Sequence, residues 1–438
     1  MAGGSWTAQN KKRPGVYINF ESEPAPLAAV GVRGVASIAL PLSWGVPKAF
    51  TVVQAGQNAI AQLGYSLSDA RLLLVREALK RAKTLLVYRL NTGAQAAVTL
   101  GNLTATARYG GTRGNDIAVA VDNNVDQAGT FVVRTLLDGV EVDRQTAAGV
   151  ESLSSNDWVT FAGAGALAAA AGAPLAGGTD GSVANADHTD YLAALELLDF
   201  DTVALASGDA ALKGVYAAFA KRLRDEEGKK IQAVLENFPA ADHEGVVSVK
   251  NGVKLADGTV LSAAQATAWV AGALAGALPN ESLTYTAYED AVDTGTRYTN
   301  SQIEAALAAG EFLFTPRGGG AVVEQDINSL TGFTPAKGRS YAKNRVVRVL
   351  DTVHEDIKGV FETYYLGKVN NNEDGRALLR SECVAYLNRL QNSGAIDNFN
   401  PQTDIAVTQG ESGDSVLIET HLQPVDAVEK IYMKVQVG

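Results

Sequence analysis

The two ends of this chain carry strand patterns that have no partner nearby in the sequence. Apolar side chains recur at every second position of Ile431–Val437 and of Val16–Phe20, the period of two that is typical of a strand. A lone strand exposes a row of N–H and C=O groups, which are costly to bury without partners. The pattern predicts that each end adds to the sheet of a neighbouring molecule. Contacts of this head-to-tail kind close into rings or propagate as helical filaments.

Composition narrows the class of protein. The chain has 438 residues, enough for several domains at about 150 residues each. Its 37 Lys and Arg against 48 Asp and Glu give a net charge of −11, which argues against a nucleic-acid partner, because DNA and RNA are negatively charged. One Cys excludes an intrachain disulfide framework, and with only four His a Cys/His zinc cluster is very unfavourable, so we expect no metal and no cofactor.

The sequence offers no targeting or membrane segment. The longest apolar runs, Trp269–Leu278 and Phe161–Ala173, are shorter than the roughly 20 residues that a bilayer span needs, so we expect no membrane insertion. The basic residues Lys11–Arg13 are followed by Pro14 and Gly15 rather than by an apolar stretch, which argues against a signal peptide. We therefore expect the chain to fold in a reducing cytoplasm.

Pattern changes along the chain predict its organisation. Residues 1–15 are polar and indicate a flexible arm. Residues 95–180 hold short alternating segments separated by Gly, Asn and Asp, which predicts an all-β insert ending in a surface loop or linker at Ala162–Gly178. From Thr189 to about Ala336 helical and extended patterns alternate, which favours crossover units and a largely parallel sheet.

The C-terminal third is predicted to be helical and then extended. Two long amphipathic helices end near Gly367 and Gly394. A strand follows at Val416–Leu422, and the terminal strand pattern begins at Ile431.

A search for catalytic chemistry finds little. The nucleophile motif G-x-S-x-G does not occur in the sequence. His188 and His243 are predicted in polar loops, His354 lies in an acidic run and His421 in a strand, so each is interpreted as a solvated or edge residue rather than a catalytic base. The sequence therefore predicts no enzyme.

Two loops imitate ligand sites without completing them. Gly110–Asp116 is rich in glycine but lacks the Lys-Ser/Thr of a phosphate-binding loop, and a tight turn into the strand Ile117–Val121 is the better interpretation. Asn370–Gly375 starts like a calcium loop, but Ser381 stands where the bidentate Glu belongs. We interpret it as a loop that caps the following helix.

A basic run without acids lies between Pro335 and Leu350. On an acidic protein it could steer a negatively charged partner. A solvated helix face balanced by acids of the same helix explains it equally well.

Segments in one order over nearly the whole chain resemble the tail sheath proteins of contractile phage tails and related phage-tail-like particles. They are Arg13–Phe20, Tyr109–Ile117, Leu175–Gly181, Arg345–Asn370, Gly394–Ile396 and Gln423–Tyr432. The first residues, Met1–Asn10, further resemble the sheaths of defective-prophage tails from Gram-positive bacteria.

The resemblance implies an α+β multidomain fold with an all-β sandwich insert, a subtilisin-like α/β domain without protease activity and a C-terminal α+β assembly domain with extended strand arms. The implied divisions are a linking arm (1–23), an α/β segment packed on the core (24–94), the β-sandwich insert (95–180), the subtilisin-like domain (181–335) and the assembly domain (336–438).

The resemblance also implies partners and a place. The subunit would form hexameric rings stacked helically around a tail tube, with the tube protein, the baseplate and the tail terminator as further partners. It would assemble in the host cytoplasm and contract to drive the tube through a cell envelope. Whether the particle is an infectious phage, a bacteriocin or an injection machine stays open.

By position, the resemblance assigns two sets of residues. The set expected in strand exchange between subunits is Val16, Tyr17, Ile18, Phe20, Val416, Ile418, Leu422, Ile431, Tyr432, Met433, Val435 and Val437. The set of candidate tube contacts is Lys343, Arg345, Arg348, Arg376, Arg380 and Arg389.

Two other functions were weighed. An α/β hydrolase-like enzyme with a β accessory domain accounts for the α/β region only. An extracellular carbohydrate-binding or adhesion protein suits the β insert but not the absence of a signal peptide.

Overall fold

The computed structural model describes Ala2–Gly4, Gly15–Tyr17 and Gly34–Val437. The chain divides into two compact units. The larger holds Val32–Glu355 with Pro424–Gly438, and the smaller is built mainly on Asp356–Gln423. Within the described ranges, every helix is too short or too polar to cross a bilayer.

The regular elements are numbered in chain order. The α-helices are α1 Ile60–Leu63, α2 Leu73–Leu79, α3 Asn185–Leu195, α4 Ala210–Asp225, α5 Ala263–Gly276, α6 Asn300–Ala308, α7 Asn344–Val360 and α8 Glu373–Asn392. The first strands are β1 Ala2–Gly4, β2 Gly15–Tyr17, β3 Val35–Leu40, β4 Phe50–Gln54, β5 Thr84–Arg89, β6 Ala97–Leu100, β7 Leu103–Ala107, β8 Ile117–Asn123, β9 Phe131–Leu137, β10 Val140–Ala147, β11 Val159–Ala162 and β12 Ala170–Pro174. The later strands are β13 Thr202–Ala204, β14 Gln232–Glu236, β15 Val246–Val249, β16 Val253–Leu255, β17 Ala291–Thr294, β18 Glu311–Phe312, β19 Phe314–Arg317, β20 Gly320–Val323, β21 Ile396–Asp397, β22 Ile405–Gln409, β23 Val416–Thr420 and β24 Gln423–Pro424.

A central sheet organises the larger unit. Its strand order is β18-β15-β14-β13-β3-β5-β4, and every neighbouring pair is parallel except β4 with β5. Alternate residues of β5 serve opposite cores: Leu85 faces the core that holds α2 and α5, whereas Leu86 faces the core that holds α3 and α4. Parallel strands covered by helices on both faces are mostly apolar, and Leu85–Tyr88 of β5 follow this rule. The prediction of crossover units and a largely parallel sheet is confirmed.

Side-chain caps start the helices that cover this sheet. The Asp209 carboxylate accepts a hydrogen bond from the Leu212 backbone N–H at the start of α4. Ser262 and Gln265 form a reciprocal capping box at the start of α5. Such caps satisfy backbone donors that have no partner within the helix.

The predicted all-β insert is a sandwich. One sheet has the order β10-β9-β8-β12 and the other β11-β7-β6, with apolar residues such as Val119 and Val159 buried between them. One prediction here is wrong. Ala162–Gly178 is not merely a loop, because Ala170–Pro174 forms β12 and pairs antiparallel with β8. A run of Ala and Gly shows no alternation of apolar and polar residues, but its backbone can pair in a sheet like any other.

The smaller unit is built on α8 and the antiparallel hairpin β22–β23. Leu379, Cys383 and Tyr386 lie on the buried face of α8. The Asn372 side chain accepts a hydrogen bond from the Gly375 N–H, so the interpretation of Asn370–Gly375 as a capping loop is confirmed.

The N-terminal strand differs from its prediction. Val16 and Tyr17 lie in β2, which pairs in parallel with β1. The expectation that this strand has no partner nearby is therefore wrong for these residues, as is that of a flexible arm for Ala2–Gly4. Gly3 and Gly4 carry no side-chain pattern that could mark a strand. Ile18 and Phe20 lie outside the described residues.

Candidate assembly surfaces

The most exposed apolar stretch of the described chain is its end. In Ile431–Val437, which we call the C-terminal segment, Ile431 is 84% exposed, Met433 82%, Val435 69% and Val437 93%. Tyr432, on the other side of the pattern, is 90% exposed. The segment pairs with no strand of the described residues. The strand predicted here is therefore not formed within the chain, and strand exchange stays a prediction.

The segment leaves the larger unit at Glu429. Val425, Ala427 and Glu429 are half-buried, whereas the residues between them are exposed. The Glu429 carboxylate accepts hydrogen bonds from Thr284 Oγ1 (2.9 Å), Gln325 Nε2 (2.5 Å) and Lys343 Nζ. Burial alone would raise the pKa of Glu429, but these donors outweigh it and hold the pKa below its usual value.

The hairpin β22–β23 is a sheet with room for further strands. Each strand pairs only with the other among the described residues. Val407 and Ile418 are opposite one another on the face shared with buried Ile405, yet both are only half-buried. Two-stranded sheets are marginal on their own in water. Of the predicted exchange residues, Val416 and Ile418 lie in β23, and Leu422 follows it, also half-buried.

The basic candidates around the start of α7 are less available than the sequence suggests. Arg348 is only 3% exposed; its Nη1 donates to the Glu281 carbonyl (2.8 Å), and its Nη2 lies 3.6 Å from Asp326 Oδ2. In this structure Arg348 therefore has little surface to offer a partner, and its tube contact stays a prediction. Lys343 is paired with Glu429. Arg345 is half-buried.

The arginines of α8 also contact their own unit. Arg376 Nη1 donates to the Asn371 side chain (3.0 Å), and Arg380 donates to the Pro401 carbonyl. The Arg389 guanidinium lies 5.8 Å from the centre of the Tyr386 ring. All of these arginines are half-buried, so each keeps some surface for a partner, and a tube contact stays a prediction.

The sequence interpretation is wrong about the exposure of two histidines. His188 lies within α3 and His243 in a loop, and both are buried rather than solvated. His188 Nδ1 is 2.8 Å from the Tyr216 hydroxyl. Burial lowers the pKa of both imidazoles.

His243 lies in a cluster with Asp225 and Glu244 that has metal-ligand atom types. Gly245 N–H donates to His243 Nδ1 (2.9 Å), so Nε2 carries the proton of the neutral ring and donates to Asp225 Oδ2 (2.9 Å). Lys337 Nζ lies 2.6 Å from Glu244 Oε1. Both ring nitrogens are thus engaged, and the Lys337 ammonium forms an ion pair with Glu244, so hydrogen bonds and this ion pair link the cluster to its surroundings.

Sequence reasoning missed what the two glycine-rich motifs do together. Asp180 accepts hydrogen bonds from Thr112 N (2.9 Å) and Ser43 Oγ (3.0 Å), and Asn115 exchanges two hydrogen bonds with the Gly178 backbone. The buried Arg89 side chain donates to the Gly110 carbonyl (2.6 Å) beside them. The motifs Tyr109–Ile117 and Leu175–Gly181 therefore form the joint between sandwich and central sheet, a role that only their pairing could have revealed.

Four models of protein families match consecutive parts of the chain. They are the Tail sheath protein Gp18 domain III N-terminal region (residues 33–90), the Phage tail sheath protein beta-sandwich domain (91–180), the Phage tail sheath protein central domain (181–329) and the Phage tail sheath C-terminal domain (336–438). The chain belongs to the phage tail sheath family, and the resemblance seen in its motifs is confirmed.

Particular relatives agree with this. The Phage-like element PBSX protein XkdK of Bacillus subtilis is 41% identical over 468 residues that cover 100% of both chains. The crystal structure of a sheath tail protein from Desulfitobacterium hafniense is 58% identical with a TM-score of 0.87, covering 97% of this chain and 100% of that one. The helical sheath of the anti-feeding prophage in its contracted state is 13% identical with a TM-score of 0.59, covering 97% and 99%, and shares the fold. The hydrolase alternative finds no support among these matches.

Proposed function

We propose that this protein is the repeating subunit of a contractile sheath, joined to its neighbours through its chain ends and stacked in rings around a tail tube. The exposed C-terminal segment carries the proposal. Four large apolar side chains, Ile431, Met433, Val435 and Val437, lie on one side of its alternating pattern, all in water. An added strand has its backbone paired and one face covered.

The energy of one such link is small. Burying four aliphatic side chains gains on the order of 6–12 kcal/mol, at about 1.5–3 kcal/mol each. Ordering seven residues costs about 7–14 kcal/mol, and the strand hydrogen bonds add about 1 kcal/mol each. These terms nearly cancel. A single link is therefore reversible, and a stable sheath needs many links made together.

The hairpin β22–β23 is the proposed receiver. Among the described residues its two strands pair only with each other and its inner face is half-covered, and an added strand would extend the sheet and cover Val416 and Ile418. We propose that the C-terminal segment of one copy and the N-terminal residues Val16, Tyr17, Ile18 and Phe20 of another pair with this hairpin in a third copy. Leu422 lies beside it.

Contraction follows from links of this kind. The linking strands would keep neighbours connected while the larger contacts between subunits repack from a long form to a short, wide form. Packed interfaces have discrete arrangements rather than a continuum, so the change is sudden and its energy adds over the whole cylinder. The released energy would drive the tube through a cell envelope.

Finer parts of the proposal rest on the family resemblance. We propose hexameric rings, a baseplate and a tail terminator as further partners, assembly in the host cytoplasm, and domain limits near residues 23, 94, 180 and 335. The parallel sheet between two helical layers supports a subtilisin-like domain.

Electron microscopy of the purified protein tests the proposal. Negative stain is expected to show hollow cylinders. Deleting Ile431–Val437, or replacing Ile431, Met433 and Val435 by Ser, should leave folded monomers. The matched control is Leu197→Ser, which removes another exposed side chain (85% exposed) from α3's neighbourhood without touching either chain end. Normal cylinders from the truncated chain would overturn strand exchange.

Tube binding has its own test. Arg345→Glu and Arg389→Glu should lower co-purification with the tube protein while free sheath still polymerises. Unchanged co-purification for both variants would remove these residues from the tube contact.

A further inference from the structure

We propose that Glu429 is the anchor that fixes where the C-terminal segment leaves the larger unit, and that it thereby aims the segment at the sheet of a second copy. The proposal rests on the strand exchange proposed above and adds the residue that positions it. It concerns a residue outside every strand-exchange and tube-contact set named so far.

Three separate parts of the larger unit hold the Glu429 side chain. Thr284 belongs to the loop between α5 and β17, Gln325 follows β20, and Lys343 directly precedes α7. Their side chains converge on a carboxylate that is 11% exposed. A group held from three directions has one position and one orientation.

The donors themselves stand on a rigid platform. Asp326, which is 1% exposed, accepts hydrogen bonds from Leu283 N (3.1 Å) and Asn344 Nδ2 (2.9 Å), and its own N–H donates to Thr284 Oγ1 (3.0 Å). Ile327 and Lys343 form a backbone bridge. A direct neighbour of each donor, Leu283, Asp326 or Asn344, is therefore hydrogen-bonded within the larger unit.

A charged side chain is an expensive way to hold a chain end. Removing a carboxylate from water costs free energy that its partners must offset. An apolar residue could pack here without that desolvation cost. What a hydrogen-bonded charge adds is a single geometry. Asp426, three residues earlier, shows the contrast: it is exposed, and its carboxylate accepts a hydrogen bond from the adjacent Ala427 N–H.

Among the described residues, Glu429 is also the last whose side chain is held by the larger unit. Lys430 and all residues of the C-terminal segment are exposed. From Glu429, eight residues to Val437 reach at most about 26–29 Å when fully extended. The receiving sheet of the second copy must therefore lie within that distance of Glu429.

Releasing the anchor would lengthen the free chain. Without it, about thirteen residues after Pro424 would move instead of eight. Effective concentration falls roughly as the −3/2 power of linker length, which is about a twofold loss per link before any loss of direction. Because each subunit contributes a link, the concentration needed for polymerisation should rise several-fold.

The experiment compares variants that open the anchor with a matched acid that does not take part. Glu429→Gln and Glu429→Ala remove the charge, Lys343→Met removes the partner, and Asp426→Ala is the control. The charge swap Glu429→Lys with Lys343→Glu restores the pair. A spin label on Lys430→Cys reports motion of the monomer's chain directly before the C-terminal segment. Sedimentation gives the critical concentration for polymerisation.

We expect Glu429→Ala and Lys343→Met to increase label mobility and raise the critical concentration at least twofold, with the control unchanged and the swap partly restored. Unchanged mobility, or greater mobility with an unchanged critical concentration, overturns the anchor. If Glu429→Ala does not fold, the same measurements on Lys343→Met decide. Normal polymerisation after deletion of Ile431–Val437 would instead refute strand exchange itself, whatever Glu429 does.

Discussion

Arg224 and Asp351 form a two-point ion pair shut away from water, with Arg224 Nη1 2.9 Å from Asp351 Oδ2 and Nη2 2.8 Å from Oδ1. The side chains are 4% and 5% exposed. The pair fastens α4 to the part of α7 that lies in the larger unit. α7 also buries Val346, Val347, Val349 and Val353, so the ion pair adds a charged contact to an apolar one.

Breaking that pair from one side should be costly. Asp351→Ala leaves the Arg224 guanidinium buried without its counter-charge, and we expect a loss of about 3–5 kcal/mol in the free energy of unfolding. Chemical denaturation of the monomer measures it. The control is Glu141→Ala, which breaks the exposed ion pair with Arg144 and should leave stability unchanged within error. Equal effects of the two substitutions would contradict the role assigned to burial.

Replacing glycine by alanine should have opposite effects on stability at two positions. Gly110 lies in the joint between the sandwich and the central sheet, and Gly214 lies in α4. A Cβ added at Gly110 would lie 2.2 Å from the Gly93 carbonyl oxygen, whereas one added at Gly214 in α4 meets no atom within 4 Å. Gly110→Ala should destabilise the chain by about 1–3 kcal/mol or prevent folding. Gly214→Ala should stabilise it by about 0.5–1 kcal/mol, since Ala is the better helix former. Thermal unfolding of both variants checks the signs.

Cys383 should be inert in the folded protein. Burial raises the pKa of its thiol to about 11, so little thiolate exists at neutral pH. We expect a thiol reagent to modify it only on unfolding, and denaturant should increase the rate by orders of magnitude. Rapid modification of the native protein at pH 7 would show that α8 opens. This inertness also permits the single-site spin label used for the anchor.

The attachment of the C-terminal segment at Glu429, and with it polymerisation, should depend on pH. Its pKa in the folded protein lies below the usual 4.5, so the anchor contributes fully above that pH and is lost as the pH falls through the lower folded value. The mobility of a label at residue 430 should rise over that acid range. In Glu429→Gln, which has no carboxyl to titrate, the mobility should be high and independent of pH over the same range.

Sequence patterns predicted the elements that local side chains decide. The alternation of helical and extended patterns after Thr189 predicted the parallel sheet. The terminal alternation at Ile431–Val437 was visible too, but the chain contains no strand that pairs with it among its described residues. An alternating pattern predicts a strand, but it does not show which strand pairs with it.

The failures have a common cause in contacts between distant residues. Arg348 belongs to a basic run, yet Asp326 and the Glu281 carbonyl meet it from other elements and allow its burial. His188 stands among polar neighbours, yet Tyr216 of α4 covers it. No sequence pattern singles out Glu429. Only the folded chain brings Thr284, Gln325 and Lys343 to it.

The half-covered hairpin β22–β23 has a consequence for growth. A subunit that gives a strand from one place and accepts strands at another is a directional building block, so a stack of such subunits has two chemically different faces. With strand exchange as proposed, one face would present unfilled hairpins and the other would present free apolar segments. A seed that fits the first cannot cap the second, and length control at the two faces therefore calls for two unrelated recognition events.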